Sequence, residues 1–161
     1  AGDPKNRHGI ILAKSIPAKK RGVRTGESLF EARRKCPELQ VFPHDFPLYM
    51  SFSDEMYRII SEYSPVIQRY SVDECFMDYT GSERKFGDPV SCAHRIRRRI
   101  REELGFTVNI GVAENRLLAK MASDFEKPNK VHTLFPEEIP EKCGRFRYAS
   151  CCSSEKHPKR N

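Results

Sequence analysis

Residues 70–78 read Tyr-Ser-Val-Asp-Glu-Cys-Phe-Met-Asp, with two adjacent carboxylates, Asp73 and Glu74, inside an apolar, β-prone run. The flanking residues predict a buried strand, and buried strands do not carry paired negative charge without a partner. A hard, oxygen-seeking cation such as Mg²⁺ is the simplest partner for two carboxylates. Neighbouring side chains of a regular strand point to opposite faces, so one ion is shared only if the backbone turns or bulges here. Ser71, close to Asp73, is compatible with such a turn. The competing reading is an edge-strand pair facing water, and Val72, Phe76 and Met77 count against it.

Apolar periodicity sets the surroundings of that run. Leu48, Phe52, Met56, Ile59, Ile60 and Tyr63 recur at helical spacing and predict a helix over 46–63. Val90, Ala93, Ile96, Ile100 and Leu104 do the same for 89–104, with Arg95, Arg97, Arg98, Arg99 and Arg101 on a face expected to be solvated. A brief helix is expected at 17–21, ended by Gly22, and an amphipathic one after Thr25-Gly26-Glu27-Ser28, stopped by Pro37. Asn115 is placed to cap a further helix through Phe125. Strands are expected at 9–15, 39–42, 66–70, 75–79, 107–112 and 131–135, with Ser71 to Glu74 either between the strands 66–70 and 75–79 or beginning the latter. The order β-α-α-β-α-β-β-α-β-α-β predicts an α+β fold with helices covering a mostly antiparallel sheet.

Composition narrows the class. The chain has 161 residues, enough for one domain or two small ones. No apolar run reaches the roughly 20 residues needed to cross a bilayer, so no membrane role is expected, and no charged-then-apolar stretch precedes a cleavage site, so secretion is not expected. Cys36, Cys75, Cys92, Cys143, Cys151 and Cys152 form no CxxC pair and no zinc-type spacing. Reduced thiols in a cytoplasmic protein are the expected state. The net charge of +7 suits a nucleic-acid partner, although residues 143–161 carry +4 of it. That tail shows neither helical nor strand period and reads as foreign to the fold. The opening text, Ala1 to Gly9, reads as the middle of a loop, so the start looks cut.

Other groups admit two readings each. Lys127 before Pro128 and Asn129 sits just past a helix, where its ammonium can meet a phosphate or simply complement the helix dipole in solvent. Lys14, Lys19, Lys20, Arg21 and Arg24 cluster around Gly22 as an anion-binding turn or a solvated loop. His8, His44, His94, His132 and His157 complete no Ser-His-Asp or Cys-His arrangement, and no Walker-type or dinucleotide glycine motif is present.

Taken together, the pieces resemble the Y-family translesion DNA polymerases, of the UmuC and DNA polymerase IV type. The matching stretches are Gly9 to Ser15, Ala18 to Gly26, Ala32 to Pro37, Tyr70 to Glu74, and Asn109 to Asp124 running into Lys127-Pro128-Asn129. They span residues 1 to about 142. The resemblance implies a small helical fingers subdomain at 1–45, a palm-like region at 46–136, and a thumb remnant or out-of-frame tail at 137–161. It implies error-prone lesion bypass in DNA repair and the SOS response, using primer-template DNA, dNTPs and two Mg²⁺ ions. Asp73 and Glu74 would be catalytic metal ligands, and Lys19 and Lys127 would contact the triphosphate. A sliding clamp would bind through the C-terminal part that follows in the family.

The chain departs from the pattern in places. Lys19 stands where the family often has an Arg, which keeps the charge but loses the bidentate fork. Ile16 stands where many members place a phosphate-bonding Tyr. The family's first carboxylate and sugar-gating aromatic lie on an N-terminal strand that precedes the text seen here, so the chain alone is expected to be inactive. One base out of frame, with suitable codons, the tail reads Met-Trp-Pro-Leu-Pro-Val-Arg-Glu-Leu-Leu-Phe-Val, similar to the family's palm-to-thumb passage. Sequencing the gene tests that expectation. Two other readings are a non-catalytic module binding DNA or a repair partner, and a nucleotidyl cyclase with a palm-like sheet. The cyclase leaves Lys127-Pro128-Asn129 and the fingers-like text unexplained.

Overall fold

The computed structural model describes residues 9–143. The loop expected before residue 9 and the tail expected after residue 143 lie outside the described residues. The chain divides into two compact units, Ala1–Tyr49 and Met50–Asn161.

In the first unit, α1 (Ile16–Lys20) starts at Ser15, whose side chain accepts from the Ala18 amide. Helix α2 (Leu29–Lys35) starts at Ser28 with a reciprocal capping box to Glu31. Ile11, Ala18, Val23, Leu29, Ala32 and Cys36 form the buried cluster between them, with Leu39 and Val41 packed against it. The strand expected at 9–15 is reduced to one antiparallel bridge, Ile10 to Ser28. Its ladder stops because the opposing chain enters α2: the Ile11 amide donates to Glu27, and the Leu29 amide donates to Gly9 at 2.8 Å. The strand expected at 39–42 is also absent, and those residues hold no regular ladder. Leu39 and Val41 bury side chains without a backbone partner strand.

The helix expected over 46–63 forms α3 (Phe46–Ser61), which begins in the first unit and lies mostly in the second, and there the run of 89–104 forms α5 (Pro89–Leu104). Asp88 caps α5 by accepting from the Ser91 amide, Pro89 occupies the first turn, and Gly105 closes it at φ 77°. Met56, Tyr57, Ile59, Ile60 and Tyr63 meet Cys92, Ile96 and Ile100 in one core. Ile59 and Ile100 are fully enclosed there. A short α4 (Glu83–Phe86) precedes α5, and α6 (Arg116–Ser123) follows the third strand. A 3₁₀ turn (Pro136–Glu138) and α7 (Ile139–Cys143) end the described chain.

The mostly antiparallel sheet is corrected. Among the described residues there are two two-stranded sheets. Strands β1 (Ile67–Arg69) and β2 (Cys75–Met77) form an antiparallel hairpin with Gln68 opposite Phe76. Strands β3 (Ile110–Val112) and β4 (Val131–Thr133) run parallel with Gly111 opposite His132. The reason is connectivity: α6 lies between β3 and β4, and a helical crossover returns the chain in the same direction. Ile67, Cys75 and Met77 from the hairpin and Ile110 from β3 all pack against the α3–α5 core.

The arginine face of α5 is corrected in part: Arg95, Arg98 and Arg101 are exposed as expected, while Arg97 and Arg99 are half-buried. Arg95 donates to the Phe86 carbonyl, Arg97 to the Asn129 carbonyl, and Arg99 to Glu62, Glu103 and the Tyr63 hydroxyl. Tertiary carbonyls and carboxylates lie within reach of these long side chains, a fact that helical periodicity does not report.

Candidate metal and phosphate site

Asp73 and Glu74 do not lie within a buried strand. They sit at the turn of the β1–β2 hairpin, Asp73 exposed and Glu74 half-buried. The turn is closed by the Tyr70 and Ser71 amides, which both donate to the Glu74 carbonyl at 2.9 and 3.1 Å. The Ser71 hydroxyl donates to Asp73 Oδ1 at 2.8 Å, fixing that carboxylate within the turn. The backbone departs from strand geometry here, so the alternation of a regular strand does not force the two side chains onto opposite faces.

Helix α3 holds the turn from behind. The buried Ser53 hydroxyl donates to the Val72 carbonyl at 2.5 Å, and the Tyr57 hydroxyl donates to the Glu74 carbonyl at 3.4 Å. Arg69 stacks its guanidinium 3.7 Å from the Tyr57 ring centroid and pairs with Asp54 at 2.7 Å.

Helix α6 brings opposite charge to the pair. Its start is set by Asn115, which accepts from the Leu118 amide at 2.9 Å. Lys120 Nζ hydrogen-bonds Glu74 Oε1 and lies 3.5 Å from Asp124. Asp124 in turn pairs with Lys127 at 2.6 Å. Glu74, Lys120, Asp124 and Lys127 thus form a row of alternating charge joining the hairpin turn to the segment after α6. Burial works against the Lys120 charge, but the Glu74 hydrogen bond and nearby Asp124 outweigh it and hold the ammonium above the ordinary lysine range. Burial raises Asp124 as well, and Lys127 and Lys120 together hold it below the usual carboxylate range. Sequence reading missed Lys120 and Asp124. Their spacing of four on one helix face, with Lys127 three further, was the available signal.

Lys127 is more than half exposed, and the peptide joining it to Pro128 is cis. Lys19 lies in α1 of the first unit, exposed. The structure brings Asp73, Glu74 and, through Asp124, Lys127 into one neighbourhood of the second unit. A groove of about 320 Å³ runs beside it, lined by Gln68, Tyr70, Phe76, Arg116, Leu117 and Lys120. Tyr70 and Phe76 meet edge to face at 5.7 Å, and Tyr70 is 68% exposed. Aromatic faces beside Arg and Lys suit bases and phosphates.

Two hard carboxylate donors in a solvent-accessible turn fit Mg²⁺, which takes one or two protein carboxylates and completes its shell with water or phosphate oxygens. No group of three His, Cys, Asp or Glu side chains converges among the described residues.

Residues 2–124 match the model of the impB/mucB/samB family, and the chain belongs to that family. Among curated proteins it is similar to DNA polymerase IV of Clostridium acetobutylicum, 52% identical over 141 residues. That match covers 88% of this chain and 35% of the relative. DNA polymerase IV of Acetivibrio thermocellus is 41% identical over 141 residues, again 88% of this chain and 35% of the relative. The chain therefore spans about a third of the length of these relatives. Among solved structures it resembles DinB from Sulfolobus solfataricus, with TM-score 0.77, 30% identity, and coverage of 83% of this chain and 39% of that one. It also resembles the insertion ternary complex of Dbh DNA polymerase, with TM-score 0.79, 28% identity, and coverage of 88% and 42%.

Proposed function

We propose that this chain is the fingers-and-palm part of a Y-family lesion-bypass DNA polymerase acting in DNA repair. The carrying observation is the Asp73–Glu74 turn faced by the Lys120-Asp124-Lys127 row. Residues 1–45 are assigned to the fingers and 46–136 to the palm. Asp73 and Glu74 are assigned as Mg²⁺ ligands, and Lys127 and Lys19 as contacts to the triphosphate of an incoming dNTP. When bound, the metal ions lower the pKa of the primer 3′-hydroxyl and stabilise charge on the reacting phosphate. The chain's own residues orient and hold. Ser71 fixes the Asp73 carboxylate, Lys120 balances Glu74, and the ammonium of Lys127 meets phosphate oxygens. Primer-template DNA is the macromolecular substrate, a sliding clamp is a partner of the intact protein, and the compartment is the cytoplasm. No described helix is long and apolar enough to cross a membrane.

Two carboxylates supply fewer ligands than a two-ion site uses, so the purified chain is expected to show no primer extension. Mg²⁺-dependent extension that Asp73→Asn abolishes would overturn that expectation. Primer-template retention measured with dNTP and Mg²⁺ tests the site itself. Added dNTP and Mg²⁺ are expected to strengthen retention, and Asp73→Ala is expected to remove the gain. If salt-sensitive DNA binding instead persists unchanged in Asp73→Ala and ignores dNTP, the chain is a non-catalytic DNA-binding module, since phosphate contacts need no carboxylate.

A further inference from the structure

Lys127 is too exposed for packing to aim it: Asp124 pairs with its ammonium at 2.6 Å, and the point from which the side chain sets out is fixed by the backbone of the segment joining α6 to β4. That segment is tethered from two distant elements. Arg97 on α5, 32 residues away, donates through Nη1 to the Asn129 carbonyl at 2.8 Å. Asn109, just before β3 and 21 residues away, accepts the Lys130 amide on Oδ1 at 3.0 Å. The Ile110 amide then donates to the Lys130 carbonyl at 3.0 Å. Asn129 itself has φ 61°, a left-handed conformation that Asn tolerates better than most residues.

The arrangement at Arg97 is expensive. Arg97 Nε, Asn129 Oδ1 and His132 Nε2 are all buried without a protein hydrogen-bond partner. Burying the Nε of a half-exposed guanidinium unpaired, for one bond to a carbonyl, is a poor route to stability alone. An aliphatic side chain at 97 would bury no such unpaired donor. What the arginine supplies, and an aliphatic residue cannot, is a directional hold on the carbonyl two residues past Lys127.

We infer that Arg97 and Asn109 are positioning residues that lock the 127–130 turn and so aim the Lys127 ammonium at the triphosphate. The inference rests on the reading of Lys127 given above. Neither residue touches the nucleotide; each acts through the backbone of the turn.

The test uses the whole chain with inorganic tripolyphosphate as probe in EDTA, followed by calorimetry, and amide hydrogen exchange followed by NMR. Arg97→Met is expected to weaken tripolyphosphate about tenfold, the scale of one charge-assisted hydrogen bond. Adding it to Lys127→Met is expected to cost nothing more, because both act on the same contact. Arg97→Lys should recover part of the affinity. The Lys130 amide should exchange faster in Arg97→Met, while the Ile100 amide in the core helix keeps its protection. A structural role alone would lower thermal stability without this non-additivity. The inference is overturned if Lys127→Met weakens tripolyphosphate and Arg97→Met does not. If Lys127→Met also leaves affinity unchanged, the phosphate role of Lys127 fails, and exchange decides the tether separately: faster Lys130 exchange supports it, an unchanged rate overturns it. Should Arg97→Met not fold, Asn109→Ala removes the second tether and is read the same way.

Discussion

Gly111 lies against α6 so closely that a Cβ placed on it would fall 1.9 Å from the Ala119 carbonyl oxygen and 2.7 Å from the Ser123 amide nitrogen. Both are backbone atoms that cannot swing away. Gly111→Ala is therefore expected to cost at least about 2 kcal/mol or to push α6 off β3, read by chemical denaturation and by loss of α6 amide protection. Ser53 works in the opposite sense, by a bond rather than a void. Its buried hydroxyl holds the Val72 carbonyl, and Ser53→Ala is expected to cost about 1–2 kcal/mol while loosening the turn that carries Asp73. In the core, Ile100→Ala is expected to cost about 2–5 kcal/mol, because a fully enclosed side chain leaves a cavity that α3 cannot fill.

At the scale of elements, the long amphipathic helices were legible. Helix α5 spans the residues its apolar stripe predicted, and the structure adds its caps, Asp88-Pro89 at one end and Gly105 at the other. The short strands were not. Periodicity marks a residue as buried, and it marked Ile11, Leu39 and Val41 as strand residues although their burial is against helices. A strand also needs a partner at the right distance, which period alone does not reveal. The end of the described chain shows a different element-level force. Glu138 hydrogen-bonds Lys142, accepts from the Phe135 amide and receives the Thr133 hydroxyl, joining β4 to α7. The Lys142 hydrogen bond, with the Phe135 amide, pulls the Glu138 carboxyl down to about 2 from an ordinary 4.5. A depressed carboxyl contributes stability that is present above its ordinary value and lost as pH falls through its folded value. Amide protection in α7 is thus expected to fall between about pH 4.5 and pH 2, and Glu138→Gln should flatten that dependence.

At the scale of the whole molecule, a net charge of +7 and a groove of aromatic and basic side chains favour a polyanion. If about four phosphates are neutralised, the slope of log affinity against log salt is expected to be near −3.6, measurable by fluorescence anisotropy with labelled primer-template. By itself the sequence determined the identity of the family and the positions of the long helices, because these depend on local spacing. Tertiary structure decided that Asp73 and Glu74 lie between the two strands rather than at the start of the second, that β3 and β4 run parallel, and that Lys120 meets Glu74 across 46 residues. It also took two of α5's arginines out of a solvated face, tying Arg97 to Asn129 and Arg99 to Glu62. The physical reason is common to all four. Each depends on which atoms a distant segment brings within hydrogen-bond reach, and that distance is written nowhere in the local pattern.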